Sequence, residues 1–99
     1  MKFFVKILLR RSITGREARE VRPALGKHIQ KVTSSTKFVE GGVFGGTRGG
    51  YFVLDVASTY ELTDLLAPTI LDNFDVECYP LMGFEELGRI FQRLATEKE

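Results

Sequence analysis

Residues 40–56 read EGGVFGGTRGGYFVLDV, three Gly-Gly pairs set around one arginine, Arg48, and followed by a run that ends on Asp55 and Val56. The run Tyr51–Asp55 has the aromatic and β-branched character of a strand. Phe38–Phe44 and Gly50–Val56 are therefore expected as two strands joined by a turn around Gly45-Gly46-Thr47-Arg48. Glycine supplies the positive φ that tight hairpin turns need. A phosphate-cradling loop would run from a strand into a helix, and here a strand follows the glycines instead. On the second strand, Phe52, Leu54 and Val56 share one face, and Tyr51, Val53 and Asp55 share the other.

Working outward, Phe3–Leu9 alternates as a first strand, with Phe3, Val5, Ile7 and Leu9 opposed to Phe4, Lys6, Leu8 and Arg10. Thr14 with Glu17 forms a capping-box pattern that opens a helix near Gly15. Its apolar stripe is Ala18, Val21, Leu25, Ile29 and Val32, and Thr33-Ser34-Ser35 ends it. Pro23 falls on the solvent side mid-helix and is expected to bend or split the helix. Ser58 and Glu61 mark a second helix through Leu62, Leu65 and Leu66 that stops near Pro68. Phe74–Leu81 reads as a fourth strand and Gly83–Ala95 as an amphipathic helix carrying Phe84, Leu87, Ile90, Phe91 and Leu94. Thr96–Glu99 are expected to fray.

The order βαββαβ plus a C-terminal helix is the split βαβ pattern of a ferredoxin-like α+β fold, with an antiparallel sheet of order 4-1-3-2. Ninety-nine residues make one domain, 1–99. The hydrophobic fraction of 43% and charged fraction of 27% are ordinary for a globular chain. No apolar run is long enough to span a membrane. The start, MKFFVKILLRRS, is broken by Lys6 and lacks a small-residue cleavage site, so it reads as a strand rather than a signal peptide. One cysteine, Cys78, excludes an internal disulfide and suits a reducing, cytoplasmic setting. It is expected on the helix-packed face as a small core residue. No Cys/His constellation suggests a metal, and no cofactor is expected.

Residues 1–37 carry a net charge of +8 and residues 38–99 one of −7. A basic face for nucleic acid is one reading. No aromatic-studded basic stripe accompanies the charge, so mingling of the two halves on folding, or between subunits, is preferred.

The sheet should have two unlike faces. Phe3, Val5, Ile7, Leu9, Phe52, Leu54, Val56, Phe74, Val76 and Cys78 must carry the helices. Phe4, Lys6, Leu8, Arg10, Tyr51, Val53, Asp55, Asp75, Glu77 and Tyr79 form a face too apolar for water and too charged for a dry core. A second copy of the sheet packed against it as a twofold dimer is the expected solution. Lys6 would then meet Asp55 or Glu77.

The hairpin GGVFGGTRGGYFVLDVAS, the EL-x-x-LL helix and the strand DVECYPL resemble the dimeric α+β barrel superfamily, and within it the small muconolactone-isomerase-like proteins. The resemblance covers the chain in element order and is sharpest over residues 40–81. It implies a homodimer, with further assembly open. It also implies a pocket between sheet and helices or at the dimer seam, and proton-transfer chemistry on a small, partly apolar molecule. It supplies no catalytic residue.

The residues themselves leave two classes open. One is an isomerase-like or cofactor-independent enzyme, or a small-molecule binder. The other is a non-catalytic dimer whose polar sheet face is only an assembly surface. Asp55, Glu77 and His28 are the candidate acid/base groups. Salt bridging of the carboxylates to Lys6 or Arg10, and a structural boundary histidine, are their plain alternatives. Tyr51, Tyr79, Arg48 and Lys6 are the candidate substrate-binding groups. Arg48 could clamp an anion, and the tyrosines could orient an oxygen or fill an interface.

Overall fold

In the computed structural model, which describes residues 1–97, four strands form one sheet in the order β2-β3-β1-β4. The strands are β1 (Lys2–Leu9), β2 (Phe38–Val43), β3 (Gly49–Asp55) and β4 (Phe74–Pro80). Every neighbouring pair is antiparallel, and the order is the expected 4-1-3-2. The helices are α1 (Gly15–Thr33), α2 (Thr59–Leu66), α3 (Thr69–Asn73) and α4 (Phe84–Thr96). This is a ferredoxin-like α+β fold with a C-terminal helix. Lys98 and Glu99, part of the tail expected to fray, lie outside the described residues, while Thr96 is the last residue of α4.

Local chemistry sets the element boundaries. The Thr14 hydroxyl accepts from the Glu17 amide at 3.1 Å, and the Glu17 carboxylate accepts from the Thr14 amide at 2.9 Å. Two of the free N–H groups at the start of α1 are satisfied this way. The Ser58 hydroxyl likewise accepts from the Glu61 amide, and Glu61 accepts from the Ala57 amide at 2.9 Å. Contrary to a split at Pro23, α1 is one continuous helix of 19 residues. The carbonyl that Pro23 leaves unpaired belongs to Arg19, four residues back, which is exposed and can be solvated.

The chain also makes a short helix that the sequence pattern does not signal. After Pro68, α3 takes one turn, with the Asp72 amide bonded to the Pro68 carbonyl and Ile70 fully buried. Five residues are too few for a helical period to show.

The core lies between one sheet face and α1–α3. Val5, Leu54, Val56, Val32, Leu66 and Ile70 are its fully buried members, joined by Phe3, Ile7, Phe52, Leu62 and Phe74. Burying side chains of this size stabilises by about 1.5–3 kcal/mol each. Cys78 departs from its expected role. It stands opposite Val5 in the register, on the core side, yet it is exposed because no helix reaches that end of β4. Partial desolvation still pushes its thiol above the usual 9.0.

No residue of α4 is buried. The chain measures 60 × 27 × 22 Å with a radius of gyration of 17.1 Å. A compact domain of this length would have one near 13 Å.

Candidate functional site

Two places on this fold collect functional chemistry, one on each side of the sheet. The first is a half-open cleft of about 480 Å³ between α1 and the β2–β3–β1 part of the sheet. Its walls include Ile7, Val21, Leu25, Ile29, Phe38 and Phe52. Its existence follows from residues that lack side chains. Gly41 lies opposite Phe52, and Gly50 is two residues before it on β3, so both stand on the core side of the sheet. Neither sends a side chain up towards α1. Val21, Leu25 and Ile29, whose counterparts elsewhere on the stripe are buried, are left half-exposed over the gap.

Both glycines are also sterically fixed. A Cβ on Gly41 would lie 2.8 Å from the Tyr51 carbonyl oxygen, and one on Gly50 would collide with the Gly42 carbonyl. Gly46, in the turn, has φ +80°, the left-handed conformation that the hairpin needs.

The charged residues lining this cleft are two arginines, Arg22 on α1 and Arg48 in the turn, and Thr33 and Thr47 add polar side chains; Tyr51 borders it on β3, with its ring on the other face of the sheet. Arg48 is held by its backbone, whose carbonyl accepts from the Leu9 amide at 2.8 Å. Two of its guanidinium nitrogens reach the same Ile13 carbonyl at 3.4 Å, which leaves most of its donors unused. Among the described residues, no carboxylate pairs with Arg22 or Arg48.

The second place is the open sheet face, which no helix among the described residues covers. Phe4 stacks on Tyr51 with ring centroids 5.5 Å apart, Tyr51 stacks on Phe44 at 6.2 Å, and Tyr79 lies 6.4 Å from Phe4. The Tyr79 hydroxyl donates to Glu77 at 2.5 Å. That bond, together with the negative charge beside it, pushes the Tyr79 hydroxyl above its usual 10.0. Lys6 sits between Tyr51 and Glu77 in the register, and Tyr51 donates to Glu40 at 3.4 Å.

The sequence candidates therefore fall into separate places. Arg48 and Tyr51 border the cleft, although the Tyr51 ring stacks on the open face. Lys6, Glu77 and Tyr79 belong to the open face. Lys6 forms no ion pair with Asp55 or Glu77 among the described residues. Asp55 instead lies 3.1 Å from the Met1 amine nitrogen, and Arg10 pairs with Asp75 at 3.6 Å.

Asp55 and Glu77 do not form a pair within one copy. They face Lys2 and Lys6 from opposite sides of β1. Four residues along and two strand spacings across put them roughly 16 Å apart. His28 is buried on α1, with its Nε2–H donating to the Leu65 carbonyl at 2.8 Å, so it ties α1 to α2. Sequence reasoning missed Arg22, Thr33, Thr47 and the glycine floor. Arg22 directly follows Val21 of the apolar stripe, and that adjacency was the available signal.

A ferredoxin-like domain with an arginine-lined apolar cleft on one side and an uncovered aromatic sheet face on the other is the class of protein defined so far. Among solved structures the chain is similar to muconolactone isomerase. The match has a TM-score of 0.67 at 23% identity and covers 84% of this chain and 90% of the other. That likeness establishes the fold. No protein-family model matches the chain, and no curated protein sequence matches it. No helix among the described residues is long and apolar enough to cross a membrane.

Proposed function

We propose that the protein binds a small, largely apolar molecule bearing one anionic group in the cleft beneath α1. The supporting observation is the lining itself: aliphatic and aromatic walls whose charged members are Arg22 and Arg48, with no carboxylate or histidine among them. A volume of about 480 Å³ is in the range that takes a small organic ligand. Guanidinium groups with spare donors recognise a carboxylate or phosphate through charge-assisted hydrogen bonds.

Decanoate and decanol are suitable probes, differing only in the head group. Calorimetry on the full chain should find decanoate the tighter ligand by tenfold or more, since a hydrogen bond to a charged group contributes about 1.5–3 kcal/mol. In the Arg48→Gln, Arg22→Gln double variant the advantage should vanish while decanol binding is kept. Equal affinity for the two probes in the wild-type chain would refute the assignment.

The open face supports a second reading, self-association as a homodimer with proton-transfer chemistry at its seam. Phe4, Leu8 and Tyr51 offer a partner sheet an apolar centre, and the Tyr79–Glu77 pair with neighbouring Lys6 offers groups that exchange protons. The solved structure it resembles is named an isomerase, which agrees in kind with such chemistry. In this reading Glu77 and Tyr79 act at the seam, Lys6 and Tyr51 hold the substrate, and the cleft alone carries no acid/base group. Under the alternative, the same face is only an assembly surface. A substrate-dependent proton exchange that is lost in Glu77→Gln, with the dimer intact, separates the two.

A further inference from the structure

The mouth of the cleft is ringed by positive charge that the fold leaves unanswered. At helical spacing, Arg19, Arg22, Gly26 and Thr33 lie along one flank of α1, and Arg22 and Thr33 line the cleft. Both acidic residues of α1, Glu17 and Glu20, fall on its other flank. Arg48 adds a charge from the turn. Its bonds to the Ile13 carbonyl bring the segment between β1 and α1, which holds Arg11, to the same end. Arg11, Arg19, Arg22 and Arg48 are all exposed, and among the described residues none of them pairs with a carboxylate. Arg16, by contrast, is paired with Glu20.

The lip between these charges is apolar. Val43 stands opposite Gly50 in the register, so it points to the core side of β2. It lines the cleft and yet is 85% exposed.

We propose that this rim docks on an anionic lipid surface, with the mouth of the cleft facing the bilayer. The docking deepens the cleft reading by naming the place where its ligand is met, and rests on that reading for the ligand alone. Charge complementarity selects this occupant. Headgroup phosphates answer the unpaired arginines, and acyl chains answer Val43 and the apolar walls behind it. An acidic protein surface answers only the arginines. A molecule with an apolar body and one anionic group is itself concentrated in such a surface. A nucleic acid would need rings at the mouth on which to stack its bases. Phe44 and Tyr51 instead stack on each other on the open face of the sheet. The contact is peripheral and needs no spanning segment.

Co-sedimentation of the full chain with vesicles tests the docking. Vesicles of phosphatidylcholine alone are compared with an equal mixture of phosphatidylcholine and phosphatidylglycerol. Binding should be confined to the mixed vesicles at low salt and lost at high salt. A basic side chain near such a surface contributes about fivefold in affinity. The Arg11→Gln, Arg19→Gln double variant spares the residues that line the cleft. It should bind the mixed vesicles roughly twenty-five-fold more weakly, with its decanoate affinity in vesicle-free buffer unchanged. Val43→Trp reports the lip, because the chain has no tryptophan of its own. Its fluorescence should shift to the blue on mixed vesicles and not on neutral ones.

Equal binding to both kinds of vesicle, a double variant that binds like the wild type, or a reporter that stays in water overturns the docking. Displacement from the vesicles by an oligodeoxythymidylate at equal phosphate concentration overturns it in favour of a general polyanion site. If the docking holds while decanoate has no advantage over decanol, the lipid contact stands and the cleft reading falls. If decanoate keeps its advantage and no vesicle is bound, only the docking falls.

Discussion

Replacing Gly50 by alanine tests whether the β2–β3 hairpin is built on backbone contact. The new methyl would collide with the Gly42 carbonyl and approach the Val43 Cα to 3.2 Å. Both obstacles are main chain of the facing strand, so no rotamer change relieves them. Two effects of opposite sign compete. Overpacking costs about 1–3 kcal/mol. Loss of glycine's freedom in the unfolded chain returns about 0.4–1 kcal/mol, because Gly50 does not need a positive φ. The net expectation is a loss of about 1–2 kcal/mol, or a fall in Tm of roughly 5–15 °C for a domain this small. Gly45→Ala is the matched control. A Cβ there meets nothing within 4 Å and φ is not positive, so the variant should equal or slightly exceed the wild type. Thermal unfolding of both variants and the parent, at one protein concentration, measures the difference. Equal Tm values for Gly50→Ala and Gly45→Ala would refute the idea that strand contact, rather than turn conformation, fixes this glycine.

Gly46→Ala should lose about 1–2 kcal/mol for a different reason, the left-handed backbone at φ +80°, and hydrogen exchange of the Phe44 amide would show the turn loosening. The Thr14 bonds hold the Glu17 carboxyl below its usual 4.5. Its contribution is therefore present above that value and lost as pH falls through the lower folded one, so urea midpoints of Glu17→Gln should vary less than those of the parent across that acid range. Tyr79 should ionise above its usual 10.0 in an ultraviolet titration, and Glu77→Gln should bring that step down. Any stability contributed by that bond is complete below pH 10.0 and fades as pH rises through the Tyr79 value. His28→Ala should cost about 1–3 kcal/mol, since it leaves the Leu65 carbonyl without its donor; an unchanged unfolding midpoint would contradict that anchoring role.

Much of the architecture was legible in the residues. The strand alternation, both capping patterns and the turn glycines are local signals, and the sheet order follows once they are placed. What escaped depended on distance. The glycine floor became a cleft only when α1 was laid over Gly41 and Gly50, which no periodicity displays. Cys78 had the right parity for the core but lies beyond the reach of any helix. Asp55 and Glu77 share a face, yet the register of β1 sets them far apart. The amphipathic pattern of α4 was plain in sequence, but an apolar stripe looks the same whether it covers its own sheet or a neighbour's.

The outer wall of the cleft is an edge strand. β2 is hydrogen-bonded only to β3, carries two glycines, and is exposed along nearly its whole length. Strands of this kind open locally at a small fraction of the free energy of global unfolding. A ligand seated beneath α1 must then oppose that opening, since it binds the closed wall and not the frayed one. Occupancy and the exchange rate of the β2 amides become two readings of one equilibrium.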